Sequence, residues 1–490
     1  MTISPAQALA RAPDDEREAF IASLTDDEID GLLRSWQFHA RPEQRQPVVD
    51  PTDPARWWAA VTGRGWGKTR AGAEWVLDRC EAFAAHNWPH LVALLNKTFD
   101  DVRSVQIGGE SGLAACAERR GYRLDHAPTS LHAELSIPLP DGGWHVTQIE
   151  LHTSVKPDRI RGRNIHTLWG DELAAWDHKV DSIGNTAFTN ADFSLRAECP
   201  PGLQPMGMIS TTPKPIKQVR DLVGGKMGGR TVVTHGSLYD NVANLASGFV
   251  QAIVQRYAQT RLGAQEIEGA LLDAVEGALW RPDKIDDTRV IWPKQRRPRL
   301  GRIVVGVDPS GSDESGDTCG IVVVGISADA DDLDQRHVYV LEDASCELRP
   351  EVWGRKVVEV FRKWGADRVV AEVNFGAALV VDLLHLLDPM MPVHEVRASR
   401  GKTARAEPAA LVYDQGRAHH CAYFGELEVQ MLTWDPRVDN YSPDRMDALV
   451  WAIADLLPEV AAPPPRQTPS TEETVGRLPT GAAAARRRAA

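Results

Sequence analysis

The chain has 490 residues, more than a single hydrophobic core usually serves, so two or three domains are expected. Its formal net charge of −13 excludes a protein that is basic throughout, so any contact with nucleic acid must be local. No apolar run is long and uncharged enough to span a bilayer, the N-terminus is acidic, and the six cysteines form no C-x-x-C pair. These features predict a cytoplasmic protein with no membrane partner, no disulfide framework and no structural zinc site.

Residues 1–45 are predicted to form a separate helical segment. Apolar side chains recur there at helical spacing, and Thr25-Asp26-Asp27-Glu28 has the pattern of a helix start. The stretch Trp36-Gln37-Phe38-His39-Ala40-Arg41-Pro42-Glu43-Gln44 then places an aromatic ring and a glutamine shortly before a glycine-rich loop. Such a pair can stack on a purine and bind its edge, but a surface turn with a packed aromatic ring explains the stretch equally well.

The glycine-rich loop follows an apolar strand at Trp57–Thr62 and leads into a helix, which is the arrangement of a phosphate-binding loop. Its glycines bring backbone N–H groups close to an anion, Lys68 adds a positive charge, and the hydroxyl of Thr69 suits Mg²⁺. Thr62 stands where the usual pattern has its first glycine, so a plain turn before an ordinary helix is the alternative. The loop residues are Gly63, Arg64, Gly65, Trp66, Gly67, Lys68 and Thr69.

Two carboxylates about a hundred residues later complete a predicted nucleotide site. Asp171 and Glu172 end an apolar stretch, where the first can hold Mg²⁺ and the second can orient the attacking water. A later strand ends in Ser210-Thr211-Thr212, whose hydroxyls can sense the γ-phosphate. The continuous apolar run Leu91–Leu95 is typical of a strand buried on both faces of a parallel sheet. Residues 46–280 are therefore predicted as an α/β domain of the P-loop NTPase class.

Residues 281–300 are rich in proline and charge and are predicted to be a linker. Over residues 301–458, three consecutive strands precede an alternation of helix and strand, which is the order of an RNase H-like fold. Residues 459–490 carry a proline run and an alanine-arginine end, which predict a disordered tail.

Four acids of the second domain are candidate metal ligands. Asp308 and Glu372 end two separate strands, whereas Asp444 and Asp447 share one face of a late helix. Converging carboxylates of this kind can hold two Mg²⁺ or Mn²⁺ ions that activate a water and stabilise a leaving oxygen. Asp447 is the preferred third ligand, with Asp444 as a helper. The basic stretch from Arg397 to Arg405 precedes a helix predicted at Ala406–Gln415 and is placed to contact phosphates.

Taken together, these motifs resemble the large terminase subunits of tailed bacteriophages and gene transfer agents. The loop from Gly63 to Arg70 resembles the deviant P-loop of that family, and Ala40-Arg41-Pro42-Glu43-Gln44 resembles its adenine-recognition stretch. Leu168-Trp169-Gly170-Asp171-Glu172-Leu173 is similar to its second nucleotide motif, and Ser210-Thr211-Thr212-Pro213 to its coupling motif. Asp308, Glu372 and the stretch Ser442–Leu449 match its nuclease positions.

The resemblance implies an ATP-driven motor in the bacterial host cell that threads double-stranded DNA through a portal into a procapsid and cuts the concatemer. It also implies a small terminase subunit as partner, and a ring, usually of five subunits, in which a neighbour's arginine completes each ATP site. Arg161 is the candidate for that arginine and Arg159 the second choice, although a DNA-backbone or structural role fits both. Arg64 would then act within its own subunit on the transferring phosphate.

Two other functions are compatible with the same residues. One is a helicase or repair ATPase fused to a resolvase-type nuclease, which would act without a capsid. The other is a non-catalytic assembly protein that binds ATP and DNA only as a scaffold.

Overall fold

The structure is a computed structural model. It describes residues 3–47, 53–257, 267–269, 271, 277–292, 295, 298–309, 318–328, 335–347, 349–373, 377–398, 401–437 and 443–458. The tail predicted over residues 459–490 lies outside this described part. Within it, no helix is both long enough and apolar enough to cross a membrane.

The N-terminal segment contains four helices where the sequence predicted one or two. Ser4 and Thr25 each accept a hydrogen bond from a backbone N–H in the first turn of the helix that follows, which explains two of the starts. The last of the four is short and buries Trp36. The helices are α1 (Pro5–Arg11), α2 (Asp14–Ala22), α3 (Asp26–Arg34) and α4 (Trp36–His39).

The first domain is built on an eight-stranded, mostly parallel sheet. Its strands are β1 (Trp57–Thr62), β2 (Leu91–Asn96), β3 (Arg123–Asp125), β4 (His132–Pro138), β5 (Trp144–Thr153), β6 (Thr167–Asp171), β7 (Met206–Thr211) and β8 (Thr231–Gly236). Their order across the sheet is β3-β4-β5-β2-β6-β7-β1-β8, and only β3/β4 and β4/β5 are antiparallel pairs. Every residue of β1, β6 and β7 is buried.

Helices cover both faces of this sheet. Alternate residues of β1 belong to two different cores: Trp58 and Ala60 to one, Trp57, Ala59 and Val61 to the other. A parallel strand buried in this way needs an apolar side chain at nearly every position, which is what the sequence has. The helices are α5 (Lys68–Ala85), α6 (Phe99–Asp101), α7 (Leu113–Arg119), α8 (Ala187–Ser194), α9 (Lys217–Val223) and α10 (Ser247–Tyr257).

The second domain has a six-stranded sheet in the order β13-β12-β9-β10-β11-β14. Strands β9, β10 and β11 are antiparallel neighbours, and β12 runs parallel to β9, as in an RNase H-like fold. The strands are β9 (Leu300–Asp308), β10 (Gly320–Ser327), β11 (Val338–Asp343), β12 (Arg368–Glu372), β13 (Val393–Val396) and β14 (Ala418–His420). The helices are α11 (Pro282–Asp286), α12 (Pro350–Trp364), α13 (Ala377–Leu387), α14 (Lys402–Asp414), α15 (Gly425–Thr433) and α16 (Asp444–Leu456).

These observations confirm the predicted fold class and correct one boundary. Helix α14 begins at Lys402, four residues before the predicted start at Ala406, and it accommodates Pro408 in its interior. Within the segment predicted as a linker, α11 forms a short helix, and Ile285 packs with Trp280 into the core of the second domain.

The two domains contact each other beside the end of β7. Lys214 donates to the carboxylate of Glu426 on α15 over 2.8 Å, and Val429 of α15 is buried in the same core as Ile216 of the first domain. Arg220 of α9 also forms an ion pair with Asp286 of α11. The strand end that carries Thr212 is thus followed directly by residues that contact the second domain.

A buried ion cluster holds α11, β14 and α15 together. Glu428 accepts from the guanidinium of Arg289 over 2.7 and 3.1 Å and lies 2.9 Å from Nδ1 of His420. Desolvation raises the pKa of Glu428, but the adjacent Arg289 charge and the His420 hydrogen bond hold it well below its ordinary value. The native state therefore favours the charged carboxylate.

Replacement of this carboxylate should destabilise the protein strongly. Glu428→Gln removes one of the two carboxylates that neutralise the buried Arg289 and leaves only Asp286 paired with it, so we expect the free energy of unfolding to fall by about 3 kcal/mol. In the wild type this stabilisation is complete above pH 4.5, the ordinary pKa, and is lost as the pH falls below it. Glu428→Gln should therefore lose less stability on acidification than the wild type does, as measured by urea unfolding at several pH values. The control Glu395→Gln, at an exposed position, should have the same free energy of unfolding as the wild type at every pH.

Candidate functional site

The glycine-rich loop joins β1 to α5 at the carboxyl edge of the first sheet. Gly65 and Gly67 have φ angles of 73° and 99°, a region that side chains other than glycine rarely adopt. A Cβ atom on Gly67 would also lie 2.6 Å from Nε2 of Gln44. The Lys68 ammonium donates to the carbonyl oxygens of Thr62 and Gly63 over 3.1 and 3.0 Å, so it lies over the loop.

Three side chains from outside the loop bind its carbonyl oxygens. Arg41 donates to Trp66 O over 2.6 Å, and Gln44 donates to the same atom over 3.4 Å. Asn241 donates to Gly65 O over 2.7 Å and accepts from Arg41 over 2.7 Å. With its carbonyl groups held on this side, the loop is left with its N–H groups to bind an anion. Asn241 was not predicted, because only the fold brings it to a loop 176 residues away.

Loss of this support should weaken nucleotide binding. Asn241→Ala removes one partly buried hydrogen bond to the loop and leaves Arg41 with one partner fewer, so we expect ATP affinity to fall about tenfold. Isothermal titration with a slowly hydrolysed ATP analogue measures the change. Asn164→Ala, which breaks only an exposed hydrogen bond with Arg196, is the matched control and should bind like the wild type. Equal affinity of all three proteins would contradict the assigned role of Asn241.

Asp171 and Glu172 lie at the same edge of the sheet as the loop. Asp171 is buried and accepts from the hydroxyl of Ser210 over 2.5 Å. Burial raises the pKa of Asp171 to about 6, and the Lys68 charge acts in the opposite direction. Glu172 has a φ of 52°, which is strained for glutamate, and its Oε1 accepts from the N–H and the hydroxyl of Thr212 over 2.9 and 2.6 Å.

A cavity of about 800 Å³ opens beside the loop and is large enough for a nucleotide. Gly65, Gly67, Lys68 and Thr69 line one wall, and Trp36 and Gln44 line another. Helix α1 contributes Gln7 and Ala10 to the far side. The aromatic ring and the glutamine predicted to contact a purine therefore border the same cavity as the phosphate loop.

The candidate arginines occupy different places. Arg64 is exposed at the loop. Arg161 lies 3.3 Å from both Asp158 and the buried Asp181, with 42% of its side chain exposed. The Arg159 guanidinium lies 5.5 Å from the ring centre of Phe99. Within the single chain, Arg159 and Arg161 are thus held by their own domain.

The four predicted acids of the second domain form one cluster. Burial raises the pKa of Asp308 well above its ordinary value, and the neighbouring charges of Asp447, Glu372 and Asp444 raise it further. One side chain, Arg405, lies 3.2 Å from Glu372 and 4.0 Å from Asp447, so these two carboxylates are near each other. β9 and β12 end side by side, with Val307 opposite Ala371, which places Asp308 beside Glu372.

Helix α16 brings Asp447 to the strand ends because it packs unusually close to the sheet. A Cβ on Gly306 would lie 2.1 Å from Ala448 O, and one on Gly320 would lie 2.0 Å from Asp444 O. Any side chain at these two positions would push the helix away and separate Asp447 from Asp308.

Family models match both halves of the chain. Residues 60–287 match the model described as terminase large subunit, T4likevirus-type, N-terminal, and residues 305–456 match the terminase RNaseH-like domain. The chain belongs to the large terminase subunit family. A comparison with curated protein sequences finds no match.

Solved terminase structures resemble this large terminase chain at low identity. A large terminase from a thermophilic bacteriophage is 14% identical, with 87% of this chain and 98% of that chain covered and a TM-score of 0.37. The large terminase of bacteriophage HK97 is 10% identical, with 82% of this chain and 91% of that chain covered and a TM-score of 0.33. The ATPase domain of the Thermus phage P74-26 large terminase is 14% identical, with 50% of this chain and 98% of that chain covered and a TM-score of 0.33.

Divalent metals suit both candidate sites of this terminase chemically. Asp171 with Thr69, and the cluster of Asp308, Glu372 and Asp447, offer the hard oxygen ligands that Mg²⁺ and Mn²⁺ prefer. Within the described ranges, however, no three side chains of the types histidine, cysteine, aspartate and glutamate are arranged to hold one ion. In the second domain, two of the acids instead contact basic side chains of α14.

Proposed function

We propose that this chain is an ATP-driven motor that moves double-stranded DNA through a portal into a procapsid and cuts concatemeric DNA with a two-metal nuclease. The observation that carries the proposal is the presence of two separate candidate centres on one chain of the terminase family. One has a phosphate loop beside Asp171 and Glu172, and the other has four clustered acids.

In the first centre, the loop N–H groups and Lys68 bind the phosphates of ATP, while Trp36 and Gln44 contact the adenine. Thr69 and Asp171 would hold Mg²⁺, which would neutralise charge on the phosphates. Glu172 orients the attacking water, and its hydrogen bonds with Thr212 connect that step to the strand end beside the second domain.

Arginine supplies further positive charge during ATP hydrolysis in this proposal. Arg64 acts within its own subunit, and Arg161, or Arg159 as second choice, acts on the neighbouring subunit of a ring of five. For Arg161 to do so, it must leave the ion pairs with Asp158 and Asp181, so formation of the ring has to compensate for their loss.

In the second centre, Asp308, Glu372 and Asp447 would hold two Mg²⁺ or Mn²⁺ ions, with Asp444 as a helper. The ions would activate a water and stabilise the oxygen that leaves the DNA strand. The chain's own task is to bring the three carboxylates together, which the close packing of α16 on β9 and β10 allows.

A packaging assay tests the motor directly. Purified chain, procapsids with portal, small terminase subunit and linear duplex DNA are mixed with ATP, and DNA protected from added DNase is measured. We expect protection that depends on both ATP and procapsids. The helicase or repair enzyme would be favoured by two results together. DNA would be unwound or cut equally well without procapsids, and procapsids would give no protection from DNase. Protection without ATP hydrolysis would favour the scaffold.

A further inference from the structure

The carboxylate cluster of the second domain is contacted by two basic side chains from one face of α14. Lys402 Nζ lies 3.2 Å from Oδ2 of Asp447, and Arg405 Nη1 lies 3.2 Å from Oε2 of Glu372. A second nitrogen of Arg405 lies 4.0 Å from Oδ1 of Asp447. Lys402 and Arg405, three residues apart at the start of the helix, are called the basic pair below.

Arg405 is fixed in this place by more than its charge. Its guanidinium lies 4.8 Å from the ring centre of Trp451, and the indole N–H of Trp451 donates to the same Glu372 oxygen over 2.6 Å. Only 10% of the Arg405 side chain is exposed, compared with 36% for Lys402. Arg405 is therefore a nearly buried part of the site, whereas Lys402 can move into solvent at little cost.

The basic pair and metal ions need the same carboxylate oxygens. An ammonium or guanidinium group and a divalent cation that share one carboxylate would lie within a few ångströms of each other and repel strongly. The Asp447 and Glu372 oxygens that the basic pair contacts cannot serve both at once. This arrangement also agrees with the finding that no three acids of the described residues are set to hold one ion.

We propose that Lys402 of the basic pair competes with divalent metal for Asp447, so that metal binds the carboxylate cluster only when Lys402 is displaced. The inference rests on the proposed nuclease function of the cluster. In this scheme Lys402 neutralises the repulsion among the acids when metal is scarce and holds the nuclease inactive. Loading with metal then exchanges one set of positive charges for another.

Metal affinity is the measurement that separates competition from a structural role. Binding of Mn²⁺ in the absence of nucleotide is measured by electron paramagnetic resonance, which detects the free ion. The Mn²⁺ binding that the wild type shows and Asp308→Asn lacks is the binding at the cluster. We expect Lys402→Met to bind Mn²⁺ there about tenfold more tightly, because the competing charge is gone. Lys402→Arg keeps the charge and should bind like the wild type.

The matched control is Lys356→Met, which removes a lysine of α12 that is paired with the exposed Glu359 rather than with an acid of the cluster. It should leave Mn²⁺ affinity unchanged. In EDTA the Lys402→Met variant should melt below the wild type, because its acids keep only Arg405 of the basic pair as a counter-charge, and added Mn²⁺ should raise its Tm more than that of the wild type. Unchanged or weaker Mn²⁺ binding by Lys402→Met would overturn the inference.

The Asp308→Asn variant distinguishes a failure of this inference from a failure of the proposed nuclease function. Loss of Mn²⁺ binding in Asp308→Asn, combined with no gain in Lys402→Met, would overturn the competition alone and leave the nuclease assignment standing. Full retention of Mn²⁺ binding in Asp308→Asn would overturn both.

Discussion

Glu172→Gln is expected to lower the rate of ATP hydrolysis by about 10² to 10⁴-fold while ATP still binds. The amide keeps the size of the side chain and can still accept from Thr212, but it cannot take a proton from, or orient, the attacking water as a carboxylate does. Because Asp171, Lys68 and the loop are unchanged, the affinity for an ATP analogue should stay close to that of the wild type. Phosphate release under steady-state conditions, together with isothermal titration, measures both quantities.

Glu134→Gln is the matched control for this experiment. Glu134 is an exposed residue of β4 that accepts from the side chain of Gln148, and the substitution removes the same charge far from the loop. Its turnover should equal that of the wild type. Unchanged hydrolysis in Glu172→Gln would contradict the catalytic role of the residue and would favour the scaffold as the function of the chain.

Asp308→Asn is expected to reduce metal-dependent cutting of plasmid DNA by about a hundredfold or more, because the cluster loses one of its two strand-end carboxylates. A loss of this size corresponds to about 3 kcal/mol of transition-state stabilisation, which is within what metal-ion catalysis supplies. A nicking assay with Mn²⁺ measures the rate. ATP hydrolysis should remain within about twofold of the wild type, since the two centres are separate.

Folding does not explain the loss that we expect in Asp308→Asn. Asp308 is buried among three other acids, and its raised pKa means that the charged carboxylate is disfavoured there. A neutral amide relieves this repulsion, so the Tm of the variant in EDTA should equal or exceed that of the wild type. Asp382→Asn on α13 is the charge-matched control and should cut normally. Undiminished cutting by Asp308→Asn would remove the nuclease assignment.

Much of the fold could be predicted because its signals are local. The strand Trp57–Thr62 has apolar side chains at nearly every position that its two buried faces require, and the predicted bounds agree with the structure. Asp171, Asp308 and Glu372 each end a strand, and the edges of parallel sheets collect such residues. Hence the meeting of Asp308 and Glu372 at one edge of the second sheet follows from sequence order once the strands are recognised.

The remaining features depend on contacts between distant parts of the chain. Asn241 contacts the loop only because the turn after β8 folds back over it, and nothing in its local sequence indicates this. The contacts of Lys402 and Arg405 with the acid cluster were not foreseen, because the predicted start of α14 at Ala406 left both residues in a loop. The actual start at Lys402 puts both on one helical face. The unpredicted contact of Lys214 with Glu426 likewise required the domain arrangement.

The most direct test of the two-centre account is a crystal structure of the chain with Mn²⁺ and an ATP analogue, recorded with anomalous diffraction. The account predicts anomalous peaks in two separate places, one between the phosphates and Asp171 with Thr69, the other among Asp308, Glu372 and Asp447. Two results would contradict the account. One is a fully occupied Mn²⁺ peak at one site with no peak at the other, and the second is a structure in which the Glu372 side chain points away from Asp308.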